Sequence, residues 1–288
     1  MNEKVWLVTG CSTGFGKELV KVLAANGDQA IGTVRKQEQI AELESMNPRL
    51  VTGVLLDVQD QTSIDAAAKI IEEKFGRVDV LVNNAGYGSI GPVEEISEAE
   101  MQRQFDVNVF GSVRMMKLAL PFMRKQKSGH ILNITSIAGL NGFPGVGIYN
   151  GSKFALEGIG EALAAECRPL GINVTNVEPG PFRTEWAGGS ATFSDRHISD
   201  YAEVGHKTID SISGVSGKQG GDPVRAVKAM IALTELENPP VHLPLGALAH
   251  KRINIRLGEF REELDKFEYL GLPTDYTEEE LKEMDGED

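Results

Sequence analysis

Val5-Trp6-Leu7-Val8-Thr9-Gly10-Cys11-Ser12-Thr13-Gly14-Phe15-Gly16 joins an apolar run to a glycine-rich turn, and from Phe15 to Ala25 apolar residues recur at helical spacing. The pattern is strand, turn, helix. Glycine lets the backbone bend sharply and lie close to a ligand, and the amide groups of a helix N-terminus hold an anion such as a pyrophosphate. Gly10, Ser12, Thr13, Gly14, Phe15 and Gly16 are therefore candidates for a dinucleotide's phosphates, with a plain tight turn as the alternative.

Outward from this turn, β-rich apolar runs lie at 29–34, 51–56, 78–83, 130–135 and 172–178, each separated by a helical stretch. Such alternation means βαβ units. The runs are nearly continuously apolar, as expected for strands covered on both faces, so the expected fold class is α/β: a Rossmann-like, doubly wound parallel sheet of about seven strands. A last short strand is expected within 239–246. One catalytic domain over 1–272 fits the length of 288 residues. Two stretches break the rhythm. Residues 186–221 are rich in Gly, Ser, Asp and His and are read as a lid or substrate loop, and 249–270 as a closing helix. Residues 273–288 are read as a flexible acidic tail.

Tyr149-Asn150-Gly151-Ser152-Lys153 places a phenol and an amine four residues apart, thirteen residues after Ser136. On a helix, i and i+4 share a face, so an ammonium at Lys153 can lie beside the Tyr149 hydroxyl and lower its pKa from the ordinary ~10. Proton exchange near neutral pH needs that help. By itself the pair could be an exposed i,i+4 contact; the strand, turn and helix at the chain's start favour hydride-transfer chemistry.

Taken together, T-G-x-x-x-G-x-G at 9–16, Asn83-Asn84-Ala85-Gly86, Asn108, Ser136, Tyr149-x-x-x-Lys153 and Pro179-Gly180 resemble the short-chain dehydrogenase/reductase family. The resemblance spans residues 4 to about 246. It implies that NADPH gives hydride to a carbonyl carbon while Tyr149 protonates the oxygen and Ser136 holds it. Lys153 then assists Tyr149 and binds the nicotinamide ribose. It further implies that Asn108 distorts its helix, expected over 98–124, and links Lys153 to solvent through a water. A surface-facing Asn108 is the alternative. Asp57 would bind the adenine and Val58 pack on its ring, although Asp57 could instead cap the helix starting near Gln61. Asn84, Ala85 and Gly86 would line the adenosine ribose. Pro179, Gly180, Phe182 and Thr184 would set the nicotinamide carboxamide, unless Thr184 only caps the next segment.

Cofactor choice is argued from charge. An NAD-selective site usually carries an acid at the end of the second strand for the ribose 2′-OH, whereas here that segment ends in Val34-Arg35-Lys36. Arg35 and Lys36, with Thr13 nearby, suit a 2′-phosphate, so NADP(H) is preferred over NAD(H). Phe143, Pro144, Ile148, Trp186 and Phe193 flank the expected pocket and point to an apolar carbonyl substrate, or merely pack the lid. The Arg35 region and the C-terminal helix resemble the steroid and retinoid branch. The function expected is therefore an NADP(H)-dependent carbonyl reductase. A cofactor-binding regulatory or scaffold protein is the alternative, disfavoured because Asn108, Ser136, Tyr149 and Lys153 are all present. Nucleotide-sugar epimerases, which the extended relatives resemble, carry T-G-x-x-G-x-x-G and a larger C-terminal domain, neither found here.

The formal net charge of −13 argues against nucleic acid or an anionic membrane surface as a partner. Cys11 and Cys167 offer neither a disulfide framework nor a metal site. The five histidines, 130, 197, 206, 242 and 250, show no ligand spacing, and His197 and His206 are read as solvated. The first strand begins too early for a signal peptide and no apolar run nears ~18 residues, so a cytoplasmic location is expected. The family's tetramer resemblance lapses after Gly246; a homodimer through the helices at 98–124 and 149–167 is expected instead.

Overall fold

The computed structural model describes residues 3–215 and 217–285. Along the chain run β1 (Val5–Val8), α1 (Gly14–Asn26), β2 (Gln29–Val34), α2 (Glu38–Glu44), β3 (Val51–Leu55), α3 (Gln61–Lys74), β4 (Val80–Asn83), β5 (Gly88–Ile90), α4 (Glu98–Phe105), α5 (Ser112–Gln126), β6 (Gly129–Ile134), α6 (Gly147–Cys167), β7 (Ile172–Pro179), β8 (Ala191–Phe193), α7 (Lys207–Gly214), α8 (Pro223–Leu233), β9 (His242–Leu245), α9 (Ala247–Gly271) and α10 (Glu278–Asp285). Seven strands form one sheet in the order β3-β2-β1-β4-β6-β7-β9, and every pairing is parallel.

Strand residues alternate between two apolar layers because successive side chains point to opposite faces. Val5 and Leu7 pack with α3, α5 and α6; Trp6 and Val8 pack with α1 and α8. Strand order reverses between β1 and β4, which opens a crevice at the carboxyl ends of the strands. The glycine turn after β1 and the Asn83–Gly86 stretch after β4 lie on its two sides.

Four features refine the expectations from sequence, the first of them in line with the distortion at Asn108 that the resemblance implies. The helix expected over 98–124 is interrupted by a π-helical turn, Asp106–Gly111, between α4 and α5. A second, two-stranded parallel sheet pairs β5 with β8, stitching the stretch expected as a loop to the segment after Gly86. Within that stretch α7 is an ordered helix, with Ile209 buried against the Tyr149 cluster. The acidic tail carries α10, whose residues are all exposed.

A line of buried amides crosses the middle of the sheet. Asn83 Nδ2 donates to Asn133 Oδ1 at 3.0 Å, Asn133 Nδ2 to Asn176 Oδ1 at 3.1 Å, and Asn176 Nδ2 to the Glu157 carboxylate at 2.7 Å. These asparagines occupy paired positions in β4, β6 and β7, so the chain of bonds exists only in this register.

Candidate active site

Gly10 and Gly14 adopt φ of +69° and +58°, in the left-handed region that favours glycine. At Gly16 the constraint is space. A Cβ there would stand 2.5 Å from the Gly10 carbonyl oxygen and 2.6 Å from Asn84 Nδ2. Asn84 braces the turn from across the crevice, its Nδ2 donating to the carbonyls of Thr9 at 2.8 Å and Gly10 at 3.0 Å. The Thr9 hydroxyl accepts from the amides of Asn84 and Ala85, both at 2.9 Å. Thr13 and Ser12 open α1, while Phe15 stacks edge-on against Phe182, centroids 5.3 Å apart. Thr184 packs against Gly14, and its hydroxyl also caps the next turn by accepting from the Trp186 amide.

Arg35 and Lys36 are exposed at the end of β2. Lys17, the next cation along this edge, is occupied by Glu42 at 2.6 Å. Asp57 holds its own loop by accepting from the Gln59 amide. It does not cap α3, because Asp60 does so through the Thr62 amide. Val58 is buried beneath α5, where it contacts Gly111. Gly180 lies at the end of β7, its amide donating to Leu245 O at 3.0 Å, and Pro179 pairs with Leu245.

α6 presents Tyr149, Lys153 and Glu157 on one face at successive turns, and all three are buried. Ser136, at the end of β6, caps a short turn through the Ala138 amide and stands close enough to act on the phenol. Burial pushes the Tyr149 hydroxyl up to about 12, with Ser136 pulling it back. The sequence reading expected Lys153 to lower that value, and the geometry differs. The ammonium donates to Ile134 O at 2.7 Å and lies 5.8 Å from the Tyr149 ring centroid. Burial brings Lys153 down to about 8, opposed by the Glu157 carboxylate.

Asn108 is buried inside the π-helical turn, not on the surface. Its Nδ2 donates to Tyr87 O at 3.0 Å and to Ser152 Oγ at 3.2 Å, while its Oδ1 accepts from the Tyr87 amide at 3.1 Å. A Cβ on Gly86 would lie 3.1 Å from Asn108 Oδ1 and 3.8 Å from Lys153 Nζ, so these groups meet at the crevice mouth. Over them, Trp186 stacks on Tyr149 with centroids 5.1 Å apart, and Phe143 packs in the same cluster. Ile148 is half-buried beside Tyr149, whereas Phe193 is an exposed member of β8.

Two groupings escaped the sequence reading because their members are far apart in the chain. Glu95, fully buried, accepts from the amides of His197 at 3.1 Å and Ile198 at 2.8 Å, and contacts His206 Nε2 at 2.9 Å. Burial works to raise its carboxyl, but these donors and the imidazole hold it below the ordinary value. His206 therefore ties the segment after β8 to Glu95 and is not a solvated residue. Glu157, Glu178 and His242 form the second grouping, with His242 Nδ1 2.7 Å from Glu178 and 3.5 Å from Glu157. Their ligand atoms all lie within 4.8 Å of one another, the one such group of metal-capable donors among the described residues. One oxygen of each carboxylate has no hydrogen-bond partner.

The sequence pattern of the short chain dehydrogenase family matches residues 4–193. Oxidoreductase BOA17 of Botryotinia fuckeliana (strain B05.10) is 36% identical over 244 residues, covering 84% of this chain and 89% of that protein. Among solved structures, a short-chain dehydrogenase from Streptomyces avermitilis superposes with a TM-score of 0.89 at 40% identity, covering 95% of this chain and 99% of its own. ElxO with NADP bound gives 0.70 at 29% identity, covering 84% and 97%. A short-chain dehydrogenase/reductase from Burkholderia phymatum in complex with NAD gives 0.76 at 25%, covering 96% and 98%. Sequence pattern, sheet order and relatives agree, and the chain belongs to the short-chain dehydrogenase family of oxidoreductases.

Proposed function

We propose that the protein interconverts an apolar ketone or aldehyde and its alcohol with NADP(H), using Tyr149 as the proton donor. The observation that carries this is the set of buried Tyr149, Lys153 and Asn108 with half-buried Ser136, gathered at the carboxyl end of the sheet beside the glycine turn. The turn fits a dinucleotide: Gly10 and Gly14 have the backbone, and Gly16 the missing side chain, that close approach of a pyrophosphate requires. Bound NADP(H) supplies hydride in one direction and accepts it in the other. Ser136 orients the substrate oxygen, and Tyr149, whose raised value keeps it protonated at neutral pH, donates to that oxygen. Lys153 remains charged up to about pH 8 and lies within the buried set from which the phenol can be reprotonated.

Arg35 and Lys36, both exposed and with no acid at the end of β2, favour the 2′-phosphate of NADP(H). Trp186 and Phe143 over Tyr149 favour an apolar substrate. Exposed Phe110 and Phe154, beside α5 and on α6, favour a dimer through these helices, and a cytoplasmic location remains part of the reading. Among the described residues no helix is long and apolar enough to cross a membrane. The test is Tyr149→Phe, assayed with NADPH against a panel of ketones and aldehydes. Turnover should fall by roughly a thousandfold or more while NADPH affinity stays within about threefold. A variant as active as the parent would refute the assignment.

A further inference from the structure

α9 begins against the body of the protein at buried Ala249 and then runs past the loop 141–144. Between that loop and the α9 face bearing Arg252, Ile255, Arg256 and Glu259 lies a recess of about 600 Å³. The loop is braced by the residue next to Tyr149. Asn150 Nδ2 donates to Asn141 O at 2.6 Å and to Ala138 O at 2.7 Å, and its Oδ1 accepts from the Phe143 amide at 3.1 Å. Phe143 thus belongs both to the recess and to the apolar cluster around Tyr149 and Trp186. A molecule reacting at Tyr149 and lying along Phe143 would extend into the recess.

The charge of that wall is out of keeping with the rest of the chain. Against a formal net charge of −13, Arg252 and Arg256 place two cations on it, and Lys251, outside the lining, precedes them in the chain. Among the described residues none of the three is in an ion pair. Arg256 lies over the Phe260 ring at 5.2 Å, which orients a planar guanidinium without neutralising it. Arg252 and Arg256 are one turn apart on the helix, and both border the recess, whose remaining lining includes Phe143, Pro144 and Ile255. Glu259, one turn further, is the single acid among these residues and leaves the wall positive.

We infer that the substrate is an apolar carbonyl compound ending in an anionic group, a carboxylate, sulfate or phosphate, which Arg252 and Arg256 hold in this recess. The inference rests on the reading of Tyr149 as the reacting centre and narrows its substrate class. Paired guanidinium groups at an apolar surface bind such an oxyanion with charge-assisted hydrogen bonds.

The test compares an oxodecanoate with its methyl ester under NADPH, in the parent and in the Arg252→Ala/Arg256→Ala variant. The parent should prefer the acid in kcat/KM, and the double variant should lose that acid-over-ester ratio by roughly ten- to a hundredfold. Glu259→Gln should move the ratio the other way. Arg252→Lys/Arg256→Lys, which keeps the charge, should restore part of it. Binding of decanoate against decanol, measured by calorimetry, gives a readout independent of turnover and should show the same loss. An unchanged ratio with unchanged decanoate binding would overturn the inference. Absence of turnover on the neutral ester and on the ketone panel would instead count against Tyr149, leaving the binding comparison to decide the anion site.

Discussion

Glu178→Gln should flatten the dependence of stability on pH. Burial raises the Glu178 carboxyl from 4.5 to about 8, with Glu161 adding to the rise. Burial likewise raises Glu157 to about 7, with Glu178 adding and Thr135, His242 and Asn176 opposing. A carboxyl raised on folding keeps a proton that the unfolded chain releases. Its contribution to stability is therefore fully present below about pH 4.5 and is lost as pH rises through about 7 to 8. At roughly 1.4 kcal/mol per pKa unit, the displacement of Glu178 alone corresponds to on the order of 5 kcal/mol. His242 Nδ1, 2.7 Å away, can donate to the carboxylate once it forms, so the net fall should be smaller than that. Urea denaturation of the parent between pH 5 and 9 should show this loss, and Glu178→Gln should show a much shallower slope. Lys153, also buried nearby, titrates near the upper end of the window in both proteins and drops out of the difference. Parallel curves for parent and variant would refute the reasoning.

Gly16→Ala should weaken NADPH binding by more than about tenfold, measured by cofactor fluorescence, because the new methyl cannot fit beside the Gly10 carbonyl without moving the turn. Arg35→Glu should shift the NADPH-over-NADH ratio of kcat/KM toward NADH by roughly ten- to a hundredfold, since it replaces a phosphate-binding cation by an acid suited to the ribose 2′-OH. Asn133→Leu should destabilise the fold by about 2–4 kcal/mol in urea denaturation, because it strands the buried amides of Asn83 and Asn176 on either side.

The central sheet was legible because parallel strands buried on both faces are continuous apolar runs, and the strands from 5–8 to 242–245 stand where those runs lie. The glycine turn was legible for a similar reason, since φ and space at Gly10, Gly14 and Gly16 leave few other residues possible. Helix interruption was not legible from periodicity: an extra residue in one turn at 106–111 shifts phase without changing residue types, and only the resemblance pointed to Asn108. Lys153 was placed on the right face, yet burial and the Ile134 carbonyl, neither visible in an i,i+4 spacing, decide where its ammonium goes. Glu95 with His206, and Glu178 with His242, pair across 111 and 64 residues, a separation at which local pattern carries no information.

The pairing of β5 with β8 has a mechanical consequence. The segment that leaves Gly86 passes through Tyr87, which grips Asn108 by both its amide and its carbonyl, and goes straight into β5. β8 is tied to β5, and Trp186 sits where a side chain on Gly88 would be. Parting the crevice for a bulky guest therefore means either unzipping a three-residue ladder or dragging Tyr87 with it. A mutation that loosens this ladder should therefore disturb Asn108 through Tyr87 as well as the place of Trp186 over Tyr149.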